Sequence, residues 1–375
     1  MQNKTIRLLL LLTLFLSAVN GHAQELISPT NPAIHYVGRV DRSNPDVVRF
    51  DWPGVSIGCR FKGERIGLSI EGGEKNHFNL FIDDELVSVF SAPHDTTLYF
   101  RATSSATDHE LLLTKRTEAD MGMARFMGFI LEEKGEILPS LRQRERKIEF
   151  IGNSITCGYG TEGGNRDERF RPDTENNYKS YAAILARAFS ADAHFIAHSG
   201  KGVVRNYGDE DPVSDPRETM PGHYARTLDN DPSLSWDFSQ WKADCVVINL
   251  GTNDFSTMPH PDRNSFLSAY KQLISEVRIT HGRVPIFCVV GPMINEPCFT
   301  YVKELTRYFR NEGNDDQVYF SGLPDNLLNQ DKDLGSDWHP SYRGQQKIAA
   351  QLLVPIATVK EWDFHTDEIF PDEIE

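Results

Sequence analysis

Beyond residue 23 the chain has no apolar run long enough to cross a bilayer, which takes about 20 residues, so no membrane insertion is expected. It is also short of positive charge: 39 Lys and Arg against 54 Asp and Glu give a formal net charge of −15. That balance opposes binding to nucleic acid or to an anionic membrane surface. Cysteine is sparse and odd in number. Cys59, Cys157, Cys245, Cys288 and Cys298 form no CxxC pair and sit in runs that read as buried, which argues against a disulfide scaffold. Cys288 with Cys298 is the one pair worth testing. Internal repeats and low-complexity tracts are absent as well, which leaves ordinary globular domains. The one conspicuous apolar run lies at the start. Lys4 and Arg7 precede Leu8 to Val19, and Gly21 and Ala23 follow with small residues. A positive start, a short apolar core and a small-x-small exit predict a secretory signal peptide over 1–23. The mature chain then begins near Gln24, is exported to the periplasm or secreted, and carries a charge of −17 once Lys4 and Arg7 are lost. No Cys follows the small residues, so a lipid anchor is not expected.

The remaining length suits two domains, and the sequence pattern changes between them. From 24 to 138 the segments are short and alternating: VVRFDW, VSIGCRF, RIGLSIEG, HFNLFID, TTLYFRA and HELLLTKR, separated by turn signals such as Asn44-Pro45, Pro53-Gly54 and Gly72-Gly73. Short strands at that spacing predict an all-β sandwich, jelly-roll-like. A charged stretch over 139–147 reads as a linker. From 148 to 362, apolar runs (IEFIG, AHFIAHS, CVVINLG, IFCVVGP, VYFSG) alternate with long amphipathic segments. That alternation predicts an α/β three-layer sandwich of about five parallel strands covered on both faces. Residues 363–375 are acidic and read as a loosely held tail.

In an open parallel sheet, ligands bind outside the carboxyl ends of the strands. The residues just past those ends are Gly152-Asn153-Ser154, Ser199-Gly200-Lys201-Gly202, Gly251-Thr252-Asn253-Asp254 and, before the last helix, Ser336-Asp337-Trp338-His339. Together they hold the parts of an acyl-transfer site. A serine hydroxyl becomes a nucleophile when a neighbouring base takes its proton, and His339 suits that task near neutral pH. Asp337 is the candidate acceptor for the other imidazole nitrogen. The backbone N–H groups of Ser154 and Gly200 and the side-chain amide of Asn253 are candidate oxyanion donors, with Gly202 in reserve. Trp338, between acid and base, is a candidate wall of the acyl pocket. Arg205, Asn206 and Tyr207 are candidate sugar contacts, and the long segment Tyr207–Trp241 a candidate part of the cleft. Cys157 reads as a small buried side chain. Singly, each has a plainer role: Ser154 as a helix cap, Gly200 and Gly202 as turn glycines, Asn253 and Asp254 as an Asx turn, His339 as a helix-entry residue. All four falling at matching strand ends is what carries the chemistry.

These blocks resemble the SGNH, or GDSL-like, hydrolase superfamily: Gly152-Asn153-Ser154 its first block, Gly200 its second, Gly251-Thr252-Asn253-Asp254 its third, Asp337 with His339 its last. More narrowly, GNSITCGYG, SGKGVVRNYG, NLGTNDFS and DWHPS, behind a β-sandwich containing TKRTEA, are similar to carbohydrate esterase family 2 across nearly the whole chain after residue 23. The resemblance implies a jelly-roll domain joined to a flavodoxin-like SGNH domain, and removal of acetyl groups from plant-type polysaccharides and oligosaccharides without metal or cofactor. Two departures from the wider superfamily stand out. Asn153 replaces its first-block Asp, and the last block is Asp-x-His, not Asp-x-x-His. Members of the narrower family are similar to one another with either a triad or a Ser–His dyad, in which a backbone carbonyl replaces the acid. The same parts would also serve a lipid or thioester hydrolase, and a β-sandwich with an inert hydrolase half would make a carbohydrate-binding protein.

Overall fold

The computed structural model describes residues 24–94, 96–132 and 135–369. The expected signal segment and residues 370–375 lie outside the described residues.

Two antiparallel sheets of six strands form the first half. One runs Asp41–Asn44, Val47–Phe50, Ala124–Glu132, Arg65–Glu71, Thr96–Arg101, with Gln24–Ile27 added to Ala124–Glu132. The other runs Glu136–Leu138, Ser56–Lys62, Asp108–Lys115, Gly73–Ile82, Glu85–Ala92, with His35–Val37 added to Ser56–Lys62. Successive strands mostly switch sheets, so neighbours in a sheet are distant in sequence, as the jelly-roll-like expectation requires. Alternation does the sorting. In Ser56–Lys62, Ile57, Cys59 and Phe61 are buried between the sheets while Lys62 is exposed.

The second half is a five-stranded sheet of Arg146–Gly152, Ala191–Ala197, Cys245–Asn249, Ile286–Val290 and Val318–Gly322, all parallel, ordered second-first-third-fourth-fifth. That is the flavodoxin-like order, with its reversal between the first and third strands. Among the described residues six α-helices occur, in chain order α1 (Ser154–Cys157), α2 (Tyr181–Ala188), α3 (Met220–His223), α4 (Arg263–His281), α5 (Cys298–Asn311) and α6 (Tyr342–Lys360). Strands covered on both faces need apolar residues at every position, and Cys245–Asn249 is buried throughout. Val247 packs with Ile184, Leu185, Ile348 and Leu352 of α2 and α6. Val246 and Ile248 pack with Phe266, Tyr270 and Val302 of α4 and α5. Helix starts are set by capping side chains: Ser180 for α2, Asp262 for α4 and Ser341 for α6.

The two halves share one continuous core with the α4–α5 face, and polar groups lock the seam. Arg39, fully buried, donates to Glu149 Oε1 at 3.1 Å and to the carbonyls of Tyr224 and Arg226. Asp51 accepts the N–H groups of Asp229 at 2.8 Å and Asn230 at 3.0 Å, and Trp52 Nε1 donates to Thr227 O at 3.1 Å.

Three expectations change. The 139–147 stretch is tied down, with Leu141 N donating to Glu110 Oε2 at 3.1 Å, and the first parallel strand begins inside it at Arg146. Over 363–369 the acidic tail is packed, not loose. His365 N donates to Ala188 O at 2.8 Å, Arg187 pairs with Glu368, and Ile369 is buried with the α2–α6 core. All five cysteines are buried free thiols, so the Cys288–Cys298 pair does not form.

Candidate active site

Ser154 opens α1 at the sharp turn leaving the first strand. Asn153 caps that turn, its Oδ1 accepting the Ile155 N–H at 3.2 Å, and Gly158 closes it in the left-handed conformation. The helix is one turn long, so its role is to aim the Ser154 side chain and leave its own N–H forward. From 185 residues away, His339 Nε2 comes within 2.8 Å of Ser154 Oγ. The other imidazole nitrogen, Nδ1, lies 2.9 Å from the backbone carbonyl oxygen of Asp337. A carbonyl can only accept, so Nδ1 carries the proton and Nε2 offers its lone pair to the serine hydroxyl.

The expected role of the Asp337 side chain is therefore corrected. Asp337 and Trp338 both adopt left-handed backbone angles, φ 49° and 64°, which swing the carboxylate away from the imidazole. It accepts instead from Phe170 N at 3.0 Å, Tyr159 Oη at 3.2 Å and Arg169 Nη1 at 3.2 Å. Burial works against its charge, but these three donors outweigh that and hold it below the ordinary carboxylate range. The loop they belong to also braces the backbone, with Asp337 N donating to Glu168 O at 2.8 Å and Trp338 N to Arg166 O at 3.1 Å. Two adjacent left-handed residues without glycine cost about 1–2 kcal/mol each, so this bracing is what keeps the carbonyl under His339. Burial pushes the His339 imidazole down to about 4, offset in part by the Asp337 carbonyl.

The candidate oxyanion donors differ in whether their protons are already spent. Among the described residues, neither the Ser154 nor the Gly200 N–H has an acceptor. Asn253 Nδ2 gives one proton to Lys201 O at 2.8 Å and keeps one for a ligand. Gly202, the reserve donor, does not belong to this set, because its N–H is spent on Asn206 Oδ1 at 3.2 Å. Its glycine has a packing cause: a Cβ there would lie 1.9 Å from Arg205 O and 2.7 Å from the Asp254 carboxylate. That carboxylate accepts the N–H groups of Val203 at 3.0 Å, Val204 at 2.7 Å and Arg205 at 3.0 Å, and so shapes the loop after the second strand.

The candidate sugar contacts separate. Arg205 is fully buried, its guanidinium donating to the carbonyls of Thr257, Pro259 and Asp209. It staples two loops and cannot reach a ligand. Asn206 is likewise used, holding Gly202 N and donating to Glu218 O. Tyr207 is 66% exposed beside Gly200, and Trp338 is 47% exposed beside His339, with Arg166 over its ring at 4.5 Å. Of the segment Tyr207–Trp241, the part from Arg226 to Ser235 is a hairpin against the sandwich.

Sequence reasoning missed several neighbours. Tyr159 stacks on Phe170 with ring centroids 3.9 Å apart and tilts over His339 at 4.3 Å; its place after GNSITCG was the only signal. Glu118 and Asp120 arrive from the sandwich; Glu118 lies in the TKRTEA stretch, but nothing in the alternating pattern there marks either as a neighbour of the site. Two groups have donor types suited to metal: His198, His223 and Asp229, and Glu118, Cys157 and Glu175. In the first, both imidazoles hydrogen-bond Asp229 through Nδ1. Burial disfavours the His198 cation, but Asp120 and Asp229 outweigh it and hold His198 up at about 10, so His198 pairs with Asp229 as an ion and has no lone pair to give a metal. In the second, burial and the neighbouring acids push the Cys157 thiol well above its ordinary value, so it stays a weak ligand.

Both halves of the chain are similar to known proteins. Residues 36–140 match the carbohydrate esterase 2 N-terminal family, and residues 150–347 match the GDSL-like Lipase/Acylhydrolase family. The chain is 40% identical over 338 residues to the cellulase/esterase CelE of Acetivibrio thermocellus, covering 88% of this chain and 40% of that much longer protein. It is 28% identical over 346 residues to an acetylxylan esterase / glucomannan deacetylase of Cellvibrio japonicus, covering 87% of this chain and 91% of the relative. Among solved structures it is similar to a family two carbohydrate esterase from Clostridium thermocellum in complex with cellohexaose, with 39% identity, a TM-score of 0.81, and coverage of 88% and 99% of the two chains. A β-sandwich seated on a parallel-sheet hydrolase domain, matched over nearly its whole described length, places the chain in carbohydrate esterase family 2.

Proposed function

We propose that the protein is a serine esterase that removes O-acetyl groups from plant-type polysaccharides and oligosaccharides such as xylan and glucomannan, with Ser154 and His339 as a catalytic dyad. The observation that carries this is the 2.8 Å contact between Ser154 Oγ and a His339 nitrogen whose partner atom is fixed by a carbonyl. In the first step Ser154 Oγ attacks the acetyl carbonyl and its proton passes to His339 Nε2. The oxyanion forms against the Ser154 N–H, the Gly200 N–H and Asn253 Nδ2. Collapse breaks the ester bond, and His339 returns the proton to the departing sugar hydroxyl. Water, deprotonated by the same nitrogen, then attacks the acetyl-serine and releases acetate. The Asp337 carbonyl stabilises the imidazolium in both halves, and the Asp337 carboxylate acts only by holding the turn. Trp338 and Tyr207 offer aromatic faces on which sugar rings stack, which suits a carbohydrate substrate better than a lipid chain.

Acetate release from acetylated xylan and glucomannan is the test. Wild type should turn over both, and Ser154→Ala should lose about 10⁴-fold or more in kcat. Undiminished release by the mutant ends the reading. A flat rate profile from acetyl to octanoyl esters would favour a lipase-like enzyme instead. Export belongs to the same proposal and rests on residues 1–23. Among the described residues no helix is long and apolar enough to cross a membrane. The mature chain should begin near Gln24 by N-terminal sequencing of protein recovered outside the cytoplasm.

A further inference from the structure

A short loop of the β-sandwich, Arg116–Met121, touches the segments that carry Ser154 and Gly200. Glu118, buried on that loop, brings Oε2 within 2.6 Å of the Ser199 backbone nitrogen and 3.7 Å of Cys157 Sγ. Two residues on, Asp120 Oδ1 faces His198 Nε2 at 3.4 Å. His198 and Ser199 immediately precede Gly200, the candidate oxyanion donor whose N–H has no acceptor among the described residues. The loop is itself pinned: Glu118 N donates to Glu175 Oε2 at 3.1 Å, Lys115 Nζ to Glu118 O at 2.9 Å, and Asn230 Nδ2 to Ala119 O at 2.9 Å.

Gly200 cannot hold its own amide. It has no side chain, and its φ of 77° lies where glycine moves freely. Downstream, its carbonyl accepts Tyr207 N at 2.8 Å. Upstream, the contact from outside the loop to the adjoining peptide is the Glu118 carboxylate. A hydrogen bond weakens steeply as its donor angle falls below about 120°, so a drifting amide loses most of its worth without leaving the site.

We propose that Glu118 is a positioning residue for the oxyanion hole: the sandwich supplies a carboxylate that fixes the Ser199 peptide and thereby aims the Gly200 N–H, with Asp120 bracing His198 from the same loop. The inference rests on the esterase reading above. It gives the sandwich a part in the reaction: the hydrolase half carries the reacting groups, and its companion domain holds one of the donors on target.

The experiment compares Glu118→Ala, Glu118→Gln and Asp120→Asn with wild type on p-nitrophenyl acetate. A p-nitrophenyl phosphonate that labels the nucleophilic serine counts competent sites, so loss of folded protein is divided out. Glu118→Ala should lower kcat per titrated site by about 10- to 100-fold, part of the 10²–10³ that deleting a donor costs, with KM within about twofold. Glu118→Gln keeps an oxygen acceptor for the Ser199 N–H and should stay within about threefold of wild type. Asp120 is more than half exposed, so Asp120→Asn should fold normally and lose about three- to tenfold in kcat. Wild-type turnover that disappears in Ser154→Ala tests the underlying reading separately. In an enzyme that passes that control, a Glu118→Ala per-site kcat within twofold of wild type overturns the inference. A loss carried by KM, or one that Glu118→Gln fails to rescue, overturns it too.

Discussion

His339 receives its orientation from a main-chain carbonyl, and that choice has consequences at the scale of single residues. A carboxylate partner in a triad is worth about 10⁴ in kcat when replaced by its amide. Here the partner atom survives side-chain substitution, so Asp337→Asn should lower kcat/KM by less than about tenfold. A loss near 10⁴ would mean that the carboxylate, not the carbonyl, serves the imidazole. The pH profile tests the same environment. Burial disfavours the imidazolium, so His339 stays neutral and able to take a proton until the pH falls to about 4. kcat/KM, which reports the free enzyme, should therefore be level from neutral pH to about 5 and reach half its plateau near 4. Enzyme returned from each pH to neutrality should recover full activity, which separates titration from unfolding. An acid limb near the ordinary histidine value of about 6.5 would contradict the buried, carbonyl-bound ring.

At the scale of elements, the loop after the second strand is held by the Asp254 carboxylate, which lies after the third strand and accepts three backbone N–H groups. Each buried donor left without a partner costs about 1–3 kcal/mol. Asp254→Ala should thus destabilise the protein by about 3–5 kcal/mol in urea unfolding, and a change below about 1 would contradict this account. The same loop shows what a sequence does and does not reveal. Strands were legible because burial on one face or both leaves different patterns, alternating in Ser56–Lys62 and continuous in Cys245–Asn249. Ser154 and His339 were legible as partners because parallel strands deliver their ends to one rim, and the same rule named Gly200 and Asn253 as candidates. The roles of Arg205 and Gly202 were not legible. An arginine that caps three carbonyls looks, in sequence, like one waiting for a ligand, and a glycine required by close packing looks like an amide donor. The direction of the Asp337 carboxylate depends on a left-handed turn that no composition marks. The packed tail escaped because Ile369 and the Arg187–Glu368 pair are too few to form a period.

At the scale of the whole molecule, the two halves are bound by buried charge as well as by apolar contact. Glu149 in the first parallel strand takes Arg39 from the sandwich at 3.1 Å, Tyr224 Oη at 2.9 Å and His281 Nε2 at 2.9 Å. Removing one member of such a set strands the others, at a cost of about 3–5 kcal/mol. Arg39→Ala should lower stability by that amount, read from its calorimetric melting. Because the core runs unbroken between the halves, melting should remain a single transition. Two resolved transitions in wild type would show halves that fold separately, contrary to the shared core. The account of the reaction turns on Ser154 and His339 acting as one unit. Its most direct test is a double-mutant cycle on acetylated xylan with Ser154→Ala, His339→Ala and the pair together. Groups that work as a unit lose their effect together, so each single mutant should fall by about 10⁴ or more and the double mutant no further. Losses that add, or a single mutant that keeps near wild-type turnover, would contradict the dyad.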